Sequence, residues 1–139
     1  MAGIHFAFED FKQLLRLNMG ISDRLDENRA ESFTLLYCDF AEIPKTQVEN
    51  SLKEILRTSD SIVNYGQDYF FVLPYTDKYG ADIVKKMFDD FFDQHIQSFM
   101  LSYPADGEKA EEILGNLQDS VSVFLKKDLH CLDAFSDTF

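Results

Sequence analysis

The 139-residue sequence contains no tryptophan, three prolines and two cysteines. Cys38 and Cys131 stand far apart, without a CxxC motif or paired histidines, which argues against a zinc site or a disulfide scaffold. No apolar run reaches the roughly 18 residues of a membrane span, and the first residues lack the basic and apolar stretches of a signal peptide. We therefore predict a cytoplasmic protein that has reduced cysteines and no segment inserted in a membrane.

Positive charge is also scarce. Lys and Arg total 13 against 25 Asp and Glu, a formal net charge of −12. Such an excess of negative charge repels polyanions, so we predict no binding of DNA or RNA. An anionic ligand would need a local cluster of arginines, and the chain has only Arg16, Arg24, Arg29 and Arg57. The first three share an N-terminal helical segment, and the sequence does not say whether any of them reaches Arg57.

The apolar content is high enough for a packed core. Apolar residues make up 45% of the chain and include 14 phenylalanines, which excludes general disorder. The length suits one domain. We divide it into an N-terminal helical segment (1–31), a core (32–127) and a tail (128–139).

Hydrophobic periodicity predicts alternating strands and helices. The predicted strands are 33–38, 61–65, 68–73 and 96–103, with a type II′ turn at Gly66-Gln67. One helix, or two broken near Gly20, is predicted within 7–30, and another after Pro44. A third helix is predicted to begin at a cap formed by Thr76 or Asp77. We assign the stripe of Phe88, Phe91 and Phe92 on this third helix to the core. A last helix is predicted to carry an apolar face from Ala110 to Phe124.

The order of the central elements is β-α-β-β-α-β, the split βαβ arrangement of ferredoxin-like folds. We predict an α+β fold with a ferredoxin-like or palm-type antiparallel sheet of four strands, with helices added at both ends. The hairpin would then bring Asp39, Gly66 and Asp68 together at one end of the sheet.

Three segments carry a resemblance to a known family. FTLLYCDF (33–40) looks like a first strand that ends in a metal-binding Asp, LRTSDSIVNYGQDYFFVLP (56–74) looks like the stretch around a signature turn, and LSYPADGEKAEEIL (101–114) looks like a strand, a Pro-x-Asp-Gly turn and a final helix. Together they resemble the GGDEF domain, the bacterial diguanylate cyclase fold that condenses two GTP molecules into cyclic di-GMP.

The signature turn is degenerate. Gly66, Gln67, Asp68, Tyr69 and Phe70 occupy the GGDEF positions, and three of the five residues match. In active relatives the two glycines let backbone amides approach the nucleotide phosphates, and acidic side chains hold a divalent metal. Gln67 removes one glycine. Tyr69 replaces an acidic residue with a phenol, which is a poor metal ligand at neutral pH.

Asp39 and Asp68 remain as vestigial candidates for metal ligands. Ala41 stands where the family has a second Asp, and the segment from Asp39 to Asp60 is too short to carry the residues that read guanine in active members. The resemblance therefore implies an inactive cyclase with no metal and no cofactor. The simpler interpretation is that Asp39 is a solvated acid at a strand end and Asp68 a turn-favouring residue.

Arg57-Thr58-Ser59-Asp60 fits the family's RxxD inhibitory-site motif, and residues 61–65 form the spacer that separates this motif from the signature turn. The resemblance implies that Arg57 contacts a phosphate or guanine of cyclic di-GMP and that Asp60 accepts hydrogen bonds from the guanine edge. The alternative is an arginine that complements a helix dipole, followed by an ordinary loop.

Two functions follow as hypotheses. The first is a non-catalytic, GGDEF-like signalling module that binds cyclic di-GMP through Arg57 and Asp60 and relays occupancy to a protein partner. The alternative is a ligand-free domain for protein interaction or homodimerisation, whose acidic helices steer a basic partner.

Overall fold

The computed structural model describes residues 3–25 and 31–135. Within them, five strands form one mixed sheet with helices on both faces. In chain order the regular elements are β1 (Ile4–His5), α1 (Phe11–Arg24), β2 (Glu31–Asp39), α2 (Lys45–Ile55), β3 (Ser61–Tyr65), β4 (Asp68–Pro74), α3 (Lys78–Phe92), β5 (Ser98–Pro104) and α4 (Ala110–Ser120). A 3-10 turn (Phe8–Asp10) precedes α1, and a π-helical turn (Val121–Leu125) and a second 3-10 helix (His130–Phe135) follow α4.

The sheet confirms the predicted fold class. Its strand order is β1-β3-β4-β2-β5, and β3, β4, β2 and β5 pair antiparallel in the ferredoxin-like order. β1 pairs parallel to β3 and makes the sheet five-stranded and mixed. The sequence did not predict this edge strand, because two residues are too short to carry a hydrophobic period.

Local chemistry explains how the central elements begin and end. Gly66 has φ +60 at the first position of the turn between β3 and β4, as a type II′ turn requires. The Asp77 side chain accepts a hydrogen bond from the Gly80 N–H at 2.8 Å and caps α3. The last turn of α2 closes before Leu56, whose backbone is extended.

The sheet separates two hydrophobic clusters. Side chains alternate along β2 and β4, so Tyr37 and Phe70 face α1 and α4 while Tyr69 and Phe71 face α2 and α3. We call these sides the α1/α4 face and the α2/α3 face. Asp39 and Asp68, two residues from Tyr37 and Phe70, therefore lie on the α1/α4 face.

Several expectations about the helices need correction. α1 runs unbroken through Gly20, which has open space around it; the rest of the predicted 7–30 segment, residues 26–30, lies outside the described residues. Phe88 is fully buried, but Phe91 is 37% exposed because its ring lies on the flank of α3. Phe124 is 68% exposed and stacks on Phe99 at the surface instead of entering the core.

The segment after Lys127 contributes to the core. Leu129, Leu132 and Phe135 are buried in the cluster on the α1/α4 face.

No helix within residues 3–25 and 31–135 combines the length and apolar character that crossing a bilayer requires.

Candidate functional site

The two vestigial aspartates meet at one end of the sheet, as predicted. Asp39 and Asp68 are directly paired across β2 and β4. Lys127 lies between them, with its Nζ 3.2 Å from Asp39 Oδ2 and 2.5 Å from Asp68 Oδ1. All three side chains are largely buried, with exposed fractions of 18 to 32%. An ammonium group thus bridges the carboxylates that the resemblance assigns to a metal.

The backbone after α4 places this lysine. The π-helical turn ends at Lys126, whose backbone is left-handed with φ +57, and the Lys127 N–H then donates to the Val121 carbonyl. Burial of the Lys127 ammonium opposes its charge, but hydrogen bonds and charges from Asp68 and Asp39 outweigh that effect and raise its pKa. Lys127 therefore carries a positive charge throughout the physiological pH range.

Tyr37 also belongs to the hydrogen-bond network of Asp39, Asp68 and Lys127. Its hydroxyl donates to Asp68 Oδ1 at 2.6 Å. Burial of the phenol, together with the hydrogen bond and negative charge of Asp68, raises the pKa of Tyr37 far above its usual value. The hydroxyl consequently stays protonated and remains a donor. Asp68 therefore accepts from two donors, Tyr37 and Lys127, that are far apart in the sequence.

This arrangement does not fit a divalent metal. Mg²⁺ needs several oxygen ligands in octahedral geometry, whereas here the cation position between the two carboxylates is taken by Lys127, which would repel a metal ion. Across residues 3–25 and 31–135, no three Asp, Glu, His or Cys side chains are grouped so that they could hold a metal.

The Tyr69 side chain does not lie at this edge, although the resemblance assigns an acidic residue of the metal site to its position. Its side chain is 3% exposed and lies on the α2/α3 face, with its ring centroid 5.2 Å from that of Phe40. An acid at position 69 would point away from Asp39 and Asp68. Phe70 is fully buried on the opposite face, beside Phe11 and Tyr37.

Gln67 has a structural role that the sequence did not reveal. The side-chain Nε2 of Gln67 donates to the backbone carbonyls of Phe40 at 3.0 Å and Ile43 at 2.9 Å. The backbone carbonyl of Gln67 accepts from the Phe40 N–H. The second glycine of the signature is therefore replaced by a side chain that ties the turn to the loop between β2 and α2.

The RxxD segment forms a closed loop between α2 and β3. The Asp60 side chain is 3% exposed, and both of its oxygens bond Arg57: Oδ2 accepts from the backbone N–H at 2.8 Å and Oδ1 from the guanidinium Nη2 at 3.1 Å. For Asp60 to accept from a guanine edge, as the resemblance implied, the buried carboxylate would have to become accessible.

Arg57 itself is accessible. Its side chain is 59% exposed, and Nη2 also donates to the Pro74 carbonyl and to Thr76 Oγ1, both at 3.2 Å. Arg16, by contrast, is bonded to Glu111 on α4 at 2.7 Å. Arg24 lies in the last turn of α1, and Arg29 lies outside the described residues.

Comparisons with known proteins bear on the fold. No family model and no curated protein matches the chain. Among solved structures, the apo form of PelD residues 156–455 from Pseudomonas aeruginosa PA14 is similar, with a TM-score of 0.51 and 15% sequence identity. The match covers 94% of this chain and 48% of that one, so the chain spans about half the length of the PelD structure. The likeness supports a GGDEF-like fold, and at this identity it concerns the fold alone.

Proposed function

We propose that the protein is a non-catalytic, GGDEF-like signalling module. The observation that carries this proposal is the Lys127 ammonium between Asp39 and Asp68. In the family that the sequence resembles, this edge of the sheet holds the metal that activates the nucleotide. A side chain fixed in that place leaves no free carboxylate pair to bind a metal, and Gln67 closes the turn against its neighbouring loop.

As the ligand we propose cyclic di-GMP, contacted by Arg57. The guanidinium is exposed but held in place by Asp60, Pro74 and Thr76, so little conformational entropy remains to be lost on binding. Within the described part of the chain, its side-chain hydrogen bonds all come from Nη2. Nε and Nη1 can therefore each donate a hydrogen bond to a phosphate. Asp60 becomes a positioning residue for Arg57, and occupancy would be relayed to a protein partner.

Calorimetric titration with cyclic di-GMP tests this proposal. We expect heat from the wild-type protein at micromolar concentrations and a loss of affinity of about tenfold or more in Arg57→Ala, because a charge-assisted hydrogen bond contributes about 1.5 to 3 kcal/mol. Arg57→Lys should also fail, since an ammonium lacks the planar fork. Arg16→Ala is the matched control, because Arg16 is similarly exposed but bonds Glu111 on α4, and it should bind as the wild type does.

Asp60→Ala should weaken binding less than Arg57→Ala does, because it frees the guanidinium without removing it. Absence of heat with the wild-type protein, or normal binding by Arg57→Ala, would refute the receptor proposal.

A second candidate is the ligand-free interaction domain, in the form of a homodimer. It is favoured by an apolar stripe of exposed side chains on α3, with exposed fractions between 37 and 77%: Tyr79, Ile83, Met87 and Phe91. Their spacing of four residues forms one ridge along about three turns of helix, and contiguous exposed apolar surface commonly marks an interface.

Sedimentation velocity over a range of protein concentrations tests this candidate. If the stripe joins two copies, Met87→Asp should abolish self-association without lowering the melting temperature, because Met87 is 43% exposed. Leu17→Asp on α1, which is 58% exposed on the other side of the sheet, is the matched control and should leave the association unchanged. A wild-type protein that stays monomeric at the highest concentrations would exclude the homodimer.

A further inference from the structure

Tyr75 has an unusual backbone conformation. It directly follows β4 and has φ +55, in the left-handed region that bulky residues rarely adopt. Among the described residues, the other non-glycine residues with positive φ are Asp93 and Lys126, and both end helices, where this conformation is common. Tyr75 ends no helix. Backbone strain of this kind collects at binding and catalytic sites, where the surrounding structure maintains it.

The surrounding structure does hold this conformation. The Tyr75 N–H donates to the Ser32 carbonyl at 3.0 Å. On either side, the Pro74 carbonyl and Thr76 Oγ1 both accept from Arg57 Nη2. One guanidinium group therefore bonds both chain neighbours of Tyr75, and Asp60 holds that guanidinium from the buried side.

More of the Tyr75 side chain is exposed than buried. It is 58% exposed, and no other aromatic ring of the described residues packs against it. A glycine at this position would adopt the same backbone conformation without strain. The exposed ring is thus held in an unfavourable backbone conformation, between two residues that bond an exposed guanidinium, and no ring–ring contact within the described residues accounts for it.

We infer that Tyr75 and Arg57 together form a recognition surface for a nucleotide, in which the Tyr75 ring stacks on a nucleobase while Arg57 pairs with a phosphate. Aromatic side chains stack on bases of any sequence, and a guanidinium binds phosphate through charge-assisted hydrogen bonds. The inference rests on the proposed function, because it extends the Arg57 site, and it assigns base recognition to Tyr75 in place of the buried Asp60.

Calorimetry with three probes tests this inference: cyclic di-GMP, GMP and ribose 5-phosphate, which has no base. Tyr75→Leu should weaken binding of the two guanine nucleotides about tenfold, in keeping with the contribution of one stacked base. Tyr75→Phe should bind as the wild type does, because it keeps the ring. Tyr65→Leu is the matched control, since Tyr65 is 57% exposed at the end of β3 that lies away from Arg57, and its affinity should be unchanged. Ribose 5-phosphate should bind more weakly than GMP and equally to wild type and Tyr75→Leu.

Tyr75→Gly separates a binding role from a structural one. We expect it to keep or raise the melting temperature, because glycine relieves the strain, and to lose affinity as Tyr75→Leu does. A clear drop in melting temperature would show that the ring is structural and would overturn the inference.

The outcomes distinguish the two proposals. If cyclic di-GMP binds equally well to wild type and Tyr75→Leu, the inference is wrong and the receptor proposal stands. If GMP binds in a Tyr75-dependent manner but cyclic di-GMP does not bind, the receptor proposal is wrong and the nucleotide surface stands. If none of the three probes binds the wild-type protein, both are wrong.

Discussion

Phe88→Ala is expected to lower the free energy of unfolding by about 3 to 5 kcal/mol, the usual cost of removing a buried aromatic ring. Phe88 is fully buried on the α2/α3 face, with its ring centroid 5.3 Å from those of both Phe40 and Phe71. Both neighbours lie in or next to strands of the sheet, so they can relax little into the cavity, and most of the lost contact area would remain unfilled.

Urea unfolding followed by circular dichroism would measure this loss. Phe91→Ala is the matched control from the same helix, and because its ring is 37% exposed we expect a loss of only about 1 kcal/mol. Equal losses in the two variants would contradict the burial difference between them.

Tyr69→Glu, the change that moves the signature turn towards an active cyclase, is expected to destabilise the protein by about 3 to 5 kcal/mol at neutral pH, as an unpaired buried charge does. Tyr69 is 3% exposed among Phe40 and Phe71. Burial already raises the pKa of the Tyr69 phenol, with a contribution from the charge of Glu49, and a carboxylate in the same place would meet the same two effects.

The loss should depend on pH in a defined direction. Burial raises the pKa of the introduced carboxyl above its unfolded value of about 4.3. The Tyr69→Glu variant therefore keeps its stability below about pH 4.3, where the carboxyl is protonated in both states. It loses stability as the pH rises through the folded-state pKa. Tyr69→Gln is the neutral control. The difference in unfolding free energy between the two variants should vanish near pH 4, and a constant difference would contradict the burial of the charge.

Cyclase activity should not appear in the same variant, even when combined with Gln67→Gly. The new carboxylate lies on the opposite face from Asp39 and Asp68, and Lys127 remains between those two. Formation of cyclic di-GMP from GTP with Mg²⁺ or Mn²⁺ by the wild-type protein would refute the non-catalytic proposal. Its formation by this variant would contradict the prediction that Lys127 and the face on which residue 69 lies prevent catalysis.

The fold was predictable because its signals are local. The periodicity of hydrophobic residues in strands and helices depends on a few neighbouring residues. The same is true of the Gly66 turn and the Asp77 helix cap. β1 was not predictable, since it consists of two residues that pair with β3. The exposure of Phe91 was missed because a helical stripe of aromatics drifts around the helix, and only packing decides which of them reach the core.

The site was predicted less completely because its contacts are long-range. Asp39 and Asp68 were placed together from the hairpin and strand order, as the register confirms. Lys127 lies 59 residues after Asp68, within an ordinary pair of lysines, and no spacing rule connects the two. Likewise, RxxD spacing identifies Arg57 and Asp60 as neighbours, but it contains no information about the burial that directs Asp60 towards Arg57 instead of towards solvent.

The bridge made by Lys127 has a consequence for how this sheet edge could change in evolution. A metal ion dissociates, exchanges and depends on its concentration in the surroundings, whereas an ammonium on the chain is always present at full occupancy. The two aspartates therefore have a structural role as its partners that depends on neither a bound metal nor catalysis. Acidic residues in a degenerate signature can thus pair with a cation that the chain itself supplies, and their presence in a sequence is not by itself a sign of metal-dependent chemistry.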